Sequence, residues 1–174
     1  PAIPGAMGHF SHIILPGQGS FLNLSRATRD HLSSARNTGK PILGICLGMQ
    51  LMCEGAEEAP GVPGLGWFPY RVTKLHLDHS PFIGWATVRT RQPLISGDFY
   101  FCHSYGITVQ EINANPWQTC HAWTYPNGET PETLTDDSTI LCSGFTAGNV
   151  WAVQFHPEKS GTAGLELLRR FLAI

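Results

Sequence analysis

The chain has 174 residues, 42% of them hydrophobic and 14% charged, with a formal net charge of −2. That length suits one domain with a proper core, expected to run over 1–174 as a single unit. Its eleven Lys and Arg form no basic run, which argues against a nucleic-acid partner, and no apolar stretch nears the roughly 20 residues of a membrane span. The opening PAIPGAMGHF has neither the basic nor the apolar region of a secretory signal. Cys46, Cys53, Cys102, Cys120 and Cys142 are an odd number without close pairing, which favours a reducing, cytoplasmic setting over a disulfide framework.

In chain order, the first ten residues read as loop. SHIILPGQGSF then gives a short β-branched strand stopped by Pro16-Gly17, with a second glycine at 19. Residues 23–37, with Leu24, Ala27 and Leu32 among polar neighbours and Gly39 beyond, predict a helix. PILGI is a second buried strand, and CLGMQLMCEGA has the residue types of a second helix, carrying Cys53. Strand, helix, strand, helix at this spacing implies parallel strands joined by helical crossovers. After the Pro/Gly-rich APGVPGLGW, strand-like runs cover 67–74, 82–89, 98–102, 107–112, 119–125, 139–145 and 150–155, a meander of antiparallel strands added to the parallel core. The ending GTAGLELLRRFLAI is an amphipathic helix with Leu165, Leu168 and Phe171/Leu172 on one face.

The chemistry centres on Gly44-Ile45-Cys46-Leu47-Gly48. A strand that runs straight into a helix through G-x-Cys-x-G lifts the cysteine above the carboxyl edge of the sheet, and flanking side chains would collide there. The start of the helix would favour thiolate, and the N–H of Leu47 would serve as an oxyanion donor. A buried structural cysteine at a Gly-rich turn explains the pentapeptide equally well. A nucleophile needs a base and a group to orient it. His156 ends the apolar VWAVQF before Pro157, and Glu158 lies two residues on, able to accept from its ring. His103, with Ser104 and Tyr105 beside it, could line the same pocket or cap a core strand. His76 and His79 lack the Cys or Asp/Glu partners of a metal site. The remaining cysteines, Cys53, Cys102, Cys120 and Cys142, read as core. No metal and no cofactor are expected.

KPILGICLGMQLM, LPGQGSF, FYFCHSY and VWAVQFHPEKSG together resemble the class I (triad-type) glutamine amidotransferases. With EEAPGVPGLGW and PFIGW, they resemble more narrowly the glutaminase subunits of imidazole glycerol phosphate synthase, of histidine biosynthesis. The resemblance runs from about residue 11 to the end. It implies a flavodoxin-like α/β fold: a parallel core sheet with added antiparallel strands. It also implies that the family's opening strand-helix-strand is missing, so that the domain is N-terminally incomplete. In function it implies that Cys46 attacks the side-chain amide of glutamine, with His156 as base and Glu158 holding it. Gly17, Gln50, Glu58, His103, Ser104 and Tyr105 match substrate-pocket positions, and Gln18 and Gly19 match the loop completing an oxyanion hole with Leu47. Lys159 matches an interface lysine toward the family's partner, a (β/α)8-barrel cyclase that receives the ammonia. Gln18 stands where valine is usual, Phe82 for a histidine and Ala86 for an asparagine, the last two near the partner surface. Three alternatives remain at this point: an amidotransferase subunit for another acceptor, such as a surface-sugar paralogue; a γ-glutamyl hydrolase; or an inactive truncated interaction module.

Overall fold

The computed structural model describes residues 10–77, 80–90, 94–109, 121–126 and 139–174. Its elements are β1 (Ile13–Leu15), α1 (Arg26–Asn37), β2 (Ile42–Ile45), α2 (Leu47–Leu51), β3 (Cys53–Ala56), β4 (Phe68–Lys74), β5 (Phe82–Thr90), β6 (Gly97–His103), β7 (Tyr105–Gly106), β8 (Ala122–Thr124), β9 (Leu141–Ala147), β10 (Val150–Val153) and α3 (Gly161–Leu172). Seven strands form one sheet in the order β1-β2-β10-β9-β8-β5-β6, and β3-β4-β7 form a second. β1, β2 and β10 are mutually parallel, while β9, β8, β5 and β6 continue the sheet antiparallel. A parallel core extended by antiparallel strands is the architecture the sequence predicts.

Local chemistry explains the core. Ser25 opens α1 by accepting from the Thr28 N–H at 3.1 Å, satisfying one of the first-turn donors. The four residues of β2 are all buried, as a continuous apolar run requires when a sheet is covered on both faces. Their alternation assigns them to two cores. Ile42 packs with Val150 and Ala152 toward Leu32 and Met49, and Leu43 with Trp151 and Val153 toward Leu167 and Phe171.

Several expectations are corrected. The second helix ends at Leu51 rather than continuing through CEGA. Cys53–Ala56 pairs with β4 as a parallel strand, so Cys53 is on β3, in the small sheet. Pairing with Phe68–Lys74 there overrides helix propensity. The third strand of the parallel core is therefore β10, from far along the chain. The run 107–112 shows no strand over 107–109 beyond a single bridge from Thr108 to Leu141, while Tyr105–Gly106 forms β7; residues 110–112 lie outside the described residues. So do 119–120 and Cys120, leaving β8 at Ala122–Thr124, and so does the loop expected over 1–9. On α3 the buried positions are Gly164, Leu167 and Phe171, whereas Leu165 and Leu172 are exposed. LELLRRFL allows two apolar stripes, and Phe171 selects one by packing against Trp151, with ring centroids 6.0 Å apart.

Candidate active site

The site lies where β2 and β10 end side by side. Cys46, between β2 and α2, has φ 48° and ψ −105°, a conformation costly for any residue with a Cβ. It is held by its N–H donating to Val153 O at 2.8 Å and its carbonyl accepting from the Gln50 N–H at 3.1 Å. Both flanking positions must be glycine. A Cβ on Gly44 would lie 2.8 Å from the Gly48 carbonyl, and one on Gly48 would lie 2.2 Å from Leu15 O. The strained elbow read from the pentapeptide is present.

Its electrostatics differ from expectation. Burial pushes the Cys46 thiol up to about 11, against the opposing hydrogen bonds from the Leu47 N–H and the Gln154 side chain. The desolvation of a sulfur enclosed on nearly all sides outweighs those two donors. The resting group at neutral pH is a thiol.

His156 is buried, and its Nδ1 lies 2.7 Å from Glu158 Oε1. The carboxylate accepts, so Nδ1 carries the proton and Nε2 is the basic nitrogen. The turn bearing the ring is pinned to β6. The His156 N–H donates to Tyr100 O at 2.8 Å, and its carbonyl accepts from Ser160 Oγ at 2.6 Å. Ser160 Oγ in turn accepts from the Tyr100 N–H at 2.9 Å. Gly17 fixes how closely base and thiol approach. A Cβ built there would be 2.8 Å from His156 Cε1 and 3.0 Å from Cys46 Cβ, so the 17–19 loop is lodged against both.

A cleft of about 300 Å³, at the small end for a ligand site, is lined by Gly17, Gly19, Cys46, Leu47, Gln50, Glu58, Cys102, His103, Ser104 and Tyr105. Nine of these are residues the sequence nominates. Gln18 is exposed and does not line the cleft, and neither do His156, Glu158 and Lys159. His103 is neutral: burial pushes its pKa down to about 4, and its Nδ1–H donates to Tyr105 O at 2.8 Å. Phe82, expected near the partner surface, is instead buried edge-on against this ring, 5.7 Å between centroids, as a packing residue behind the cleft.

Cys53 and Cys142 are buried as expected, but Cys102 is exposed and borders the cleft. Two residues were missed: Ser160, and Gln154, whose Nε2 is 3.4 Å from Cys46 Sγ. A polar residue inside the apolar VWAVQF, two before the histidine, was the available signal for Gln154. Among the described residues no group of three His, Cys, Asp or Glu could hold a metal, and His79 lies outside them.

The chain as a whole is similar to known proteins. The family model for class I glutamine amidotransferases matches residues 6–174. The imidazole glycerol phosphate synthase subunit HisH of Thermococcus kodakarensis is 39% identical, over 97% of this chain and 85% of that protein. Its counterpart in Pyrococcus furiosus is 39% identical over 91% and 79%, and that of Deinococcus radiodurans 36% over 94% and 75%. Among solved structures, a glutamine amidotransferase superposes with a TM-score of 0.63 at 18% identity, covering 94% of this chain and 78% of that one. PurLQS from Thermotoga maritima does so with 0.64 at 16%, covering 94% and 79%. At those identities the structures establish the fold, and the sequence relatives establish the branch. The chain belongs to the class I glutamine amidotransferases, in the family of the imidazole glycerol phosphate synthase subunit HisH.

Proposed function

We propose that this chain is the glutaminase subunit of an imidazole glycerol phosphate synthase, releasing ammonia from glutamine through a thioester on Cys46. The observation that carries this is the elbow thiol and the Glu158-held His156, both packed against Gly17 at the cleft. His156 Nε2 takes the thiol proton as sulfur attacks the side-chain carbonyl carbon of glutamine, forming the C–S bond. The N–H groups of Leu47 and of the Gln18-Gly19 loop are the donors assigned to the resulting oxyanion. On collapse the C–N bond breaks, and His156 returns its proton to the departing nitrogen as ammonia leaves. Water, deprotonated by His156, then cleaves the thioester to glutamate and restores the thiol. Gly17, Gln50, Glu58, His103, Ser104 and Tyr105 form the pocket assigned to the substrate glutamine.

The ammonia goes to a cyclase partner, a (β/α)8 barrel, and the outward face of β5–β6 is the surface assigned to it. Ile83 and Trp85 are more than half exposed there. Trp85 meets Tyr100 edge-on at 6.1 Å, and Lys159 Nζ lies 5.7 Å over the Tyr100 ring. An exposed tryptophan backed by a half-buried tyrosine is a common interface anchor, and Lys159 adds a rim charge beside it. The strand bearing Tyr100 also accepts the His156 N–H, which links that face to the base.

Glutamate release is measured with and without a cyclase subunit and its nucleotide ligand. Activity should rise strongly with both and vanish in Cys46→Ser. A glutamine analogue with an electrophilic carbon should label Cys46 and spare Cys53. Undiminished turnover in Cys46→Ser would overturn the mechanism, and full activity without a partner would favour a free-standing hydrolase.

A further inference from the structure

We infer that Gln154 is a second hydrogen-bond donor to the Cys46 sulfur and that, through Gln50, it ties the nucleophile to the wall of the substrate cleft. The role rests on Cys46 being the nucleophile, as proposed above.

The argument begins at the far end of the chain of amides. Tyr105 O is a backbone carbonyl and can only accept, and Gln50 presents an amide nitrogen to it at 2.9 Å. That fixes which end of the Gln50 amide is nitrogen. The same Nε2 lies 3.1 Å from the Gln154 amide, so the atom it meets there is an acceptor, Oε1. The other end of Gln154 is then the NH2 group, and it faces Cys46 Sγ at 3.4 Å. The orientation of both amides follows from one carbonyl, without a choice of flip.

The sheet places Gln154 there. Val153 pairs with Ile45 in the parallel β10–β2 ladder, so the next residue on each strand, Gln154 and Cys46, come abreast just beyond the sheet edge. Gln154 is 1% exposed and Gln50 4%. A primary amide held this deeply needs partners for both ends, and the sulfur is the partner of one of them. Leu47 N–H also serves the sulfur, but as it turns to the oxyanion Gln154 remains the donor to the developing thiolate and then to the leaving sulfur of the thioester. Because Gln50 both lines the cleft and holds Gln154, a ligand that shifts Gln50 changes the donor at the sulfur.

The test is the alkylation rate of Cys46 by iodoacetamide in the free protein near neutral pH, read by mass spectrometry of its own peptide, alongside glutamine turnover. Gln154→Met keeps the volume and removes the donor. Gln154→Glu keeps an acceptor toward Gln50 and puts a carboxylate beside the sulfur. With the donor lost, alkylation slows about three- to tenfold in Gln154→Met, the lower nucleophile fraction being partly offset by greater intrinsic nucleophilicity. It slows further in Gln154→Glu, and kcat falls about tenfold or more in each. A side chain that only fills space predicts no slowing, since Met fills the same volume, and any loosening of the site would expose the thiol and speed alkylation. Unchanged or faster alkylation in a folded Gln154→Met therefore overturns the proposal. Should that variant fail to fold, Gln50→Met reads the same relay from its other end: it unpins the Gln154 amide, and unchanged or faster alkylation there is equally fatal. Alkylation needs no glutamine, so absence of wild-type turnover even with a cyclase subunit and its nucleotide ligand present would sink the glutaminase reading without touching this result.

Discussion

Replacing Gly17 with alanine tests whether the loop before α1 sets the spacing of thiol and base. The added Cβ would come 2.8 Å from His156 Cε1 and 3.0 Å from Cys46 Cβ, where ordinary contact begins at 3.4 Å. Something must therefore yield by about half an ångström. Cys46 cannot, because its strained backbone is held by Val153 O and by the start of α2. The main chain of His156 is pinned by Tyr100 and Ser160, which leaves a swing of the imidazole away from sulfur or a shift of the loop that carries Gly19. Either displaces a reacting group, and a misplacement on this scale costs about 10- to 100-fold in rate. The overpacking itself costs about 1–3 kcal/mol, lowering the melting temperature by about 2–12 °C. Glutamate release and thermal unfolding, measured together, separate the two effects. Gly148→Ala is the control: that glycine has φ 58° with nothing near it, so its variant loses stability without losing turnover. A Gly17→Ala protein with wild-type kcat would refute the reasoning, because it would mean that the loop does not rest against the pair.

Acid should weaken the fold through His103. Its pKa is about 4 folded and 6.5 unfolded, so between those values the unfolded chain binds the extra proton, and stability present above pH 6.5 is lost as pH falls toward 4. The difference amounts to about 3 kcal/mol. Urea unfolding at the two ends of that window should show the loss in the wild type and much less of it in His103→Gln; equal losses would contradict a buried neutral ring. Ser160→Ala strips a buried hydroxyl that serves the Tyr100 N–H and the His156 carbonyl, costing about 1–3 kcal/mol. Both the melting temperature and kcat should drop, and a fall in stability alone would mean that the Ser160 bridge does not position His156.

What the sequence made legible follows from which signals are local. The G-x-Cys-x-G turn is five consecutive residues under one steric constraint, so strand, strain and both glycines could be read together, as could the spacing that lets Glu158 reach His156. The helix expected through CEGA failed because the deciding partner, Phe68–Lys74, lies beyond a loop, and nothing within those four residues announces it. On α3 the expected face was right at Phe171 and Leu168, which pack on the core, and wrong at Leu165 and Leu172, for a related reason. Its stripe was chosen by Trp151 on β10, a tertiary contact. The thiol shows the same limit in energy. A backbone donor such as Leu47 N–H can be anticipated from a pentapeptide, but desolvation depends on everything that surrounds the sulfur, and here it is the larger effect. Once the thiol is the resting form, the site must supply both a proton acceptor and donors to the sulfur at the moment of attack. That is why His156, which could be found by pattern, is an incomplete account of the nucleophile without Gln154, whose place in the chain is marked by a polar residue in an apolar run but whose donor role emerges only by following one backbone carbonyl through two amides.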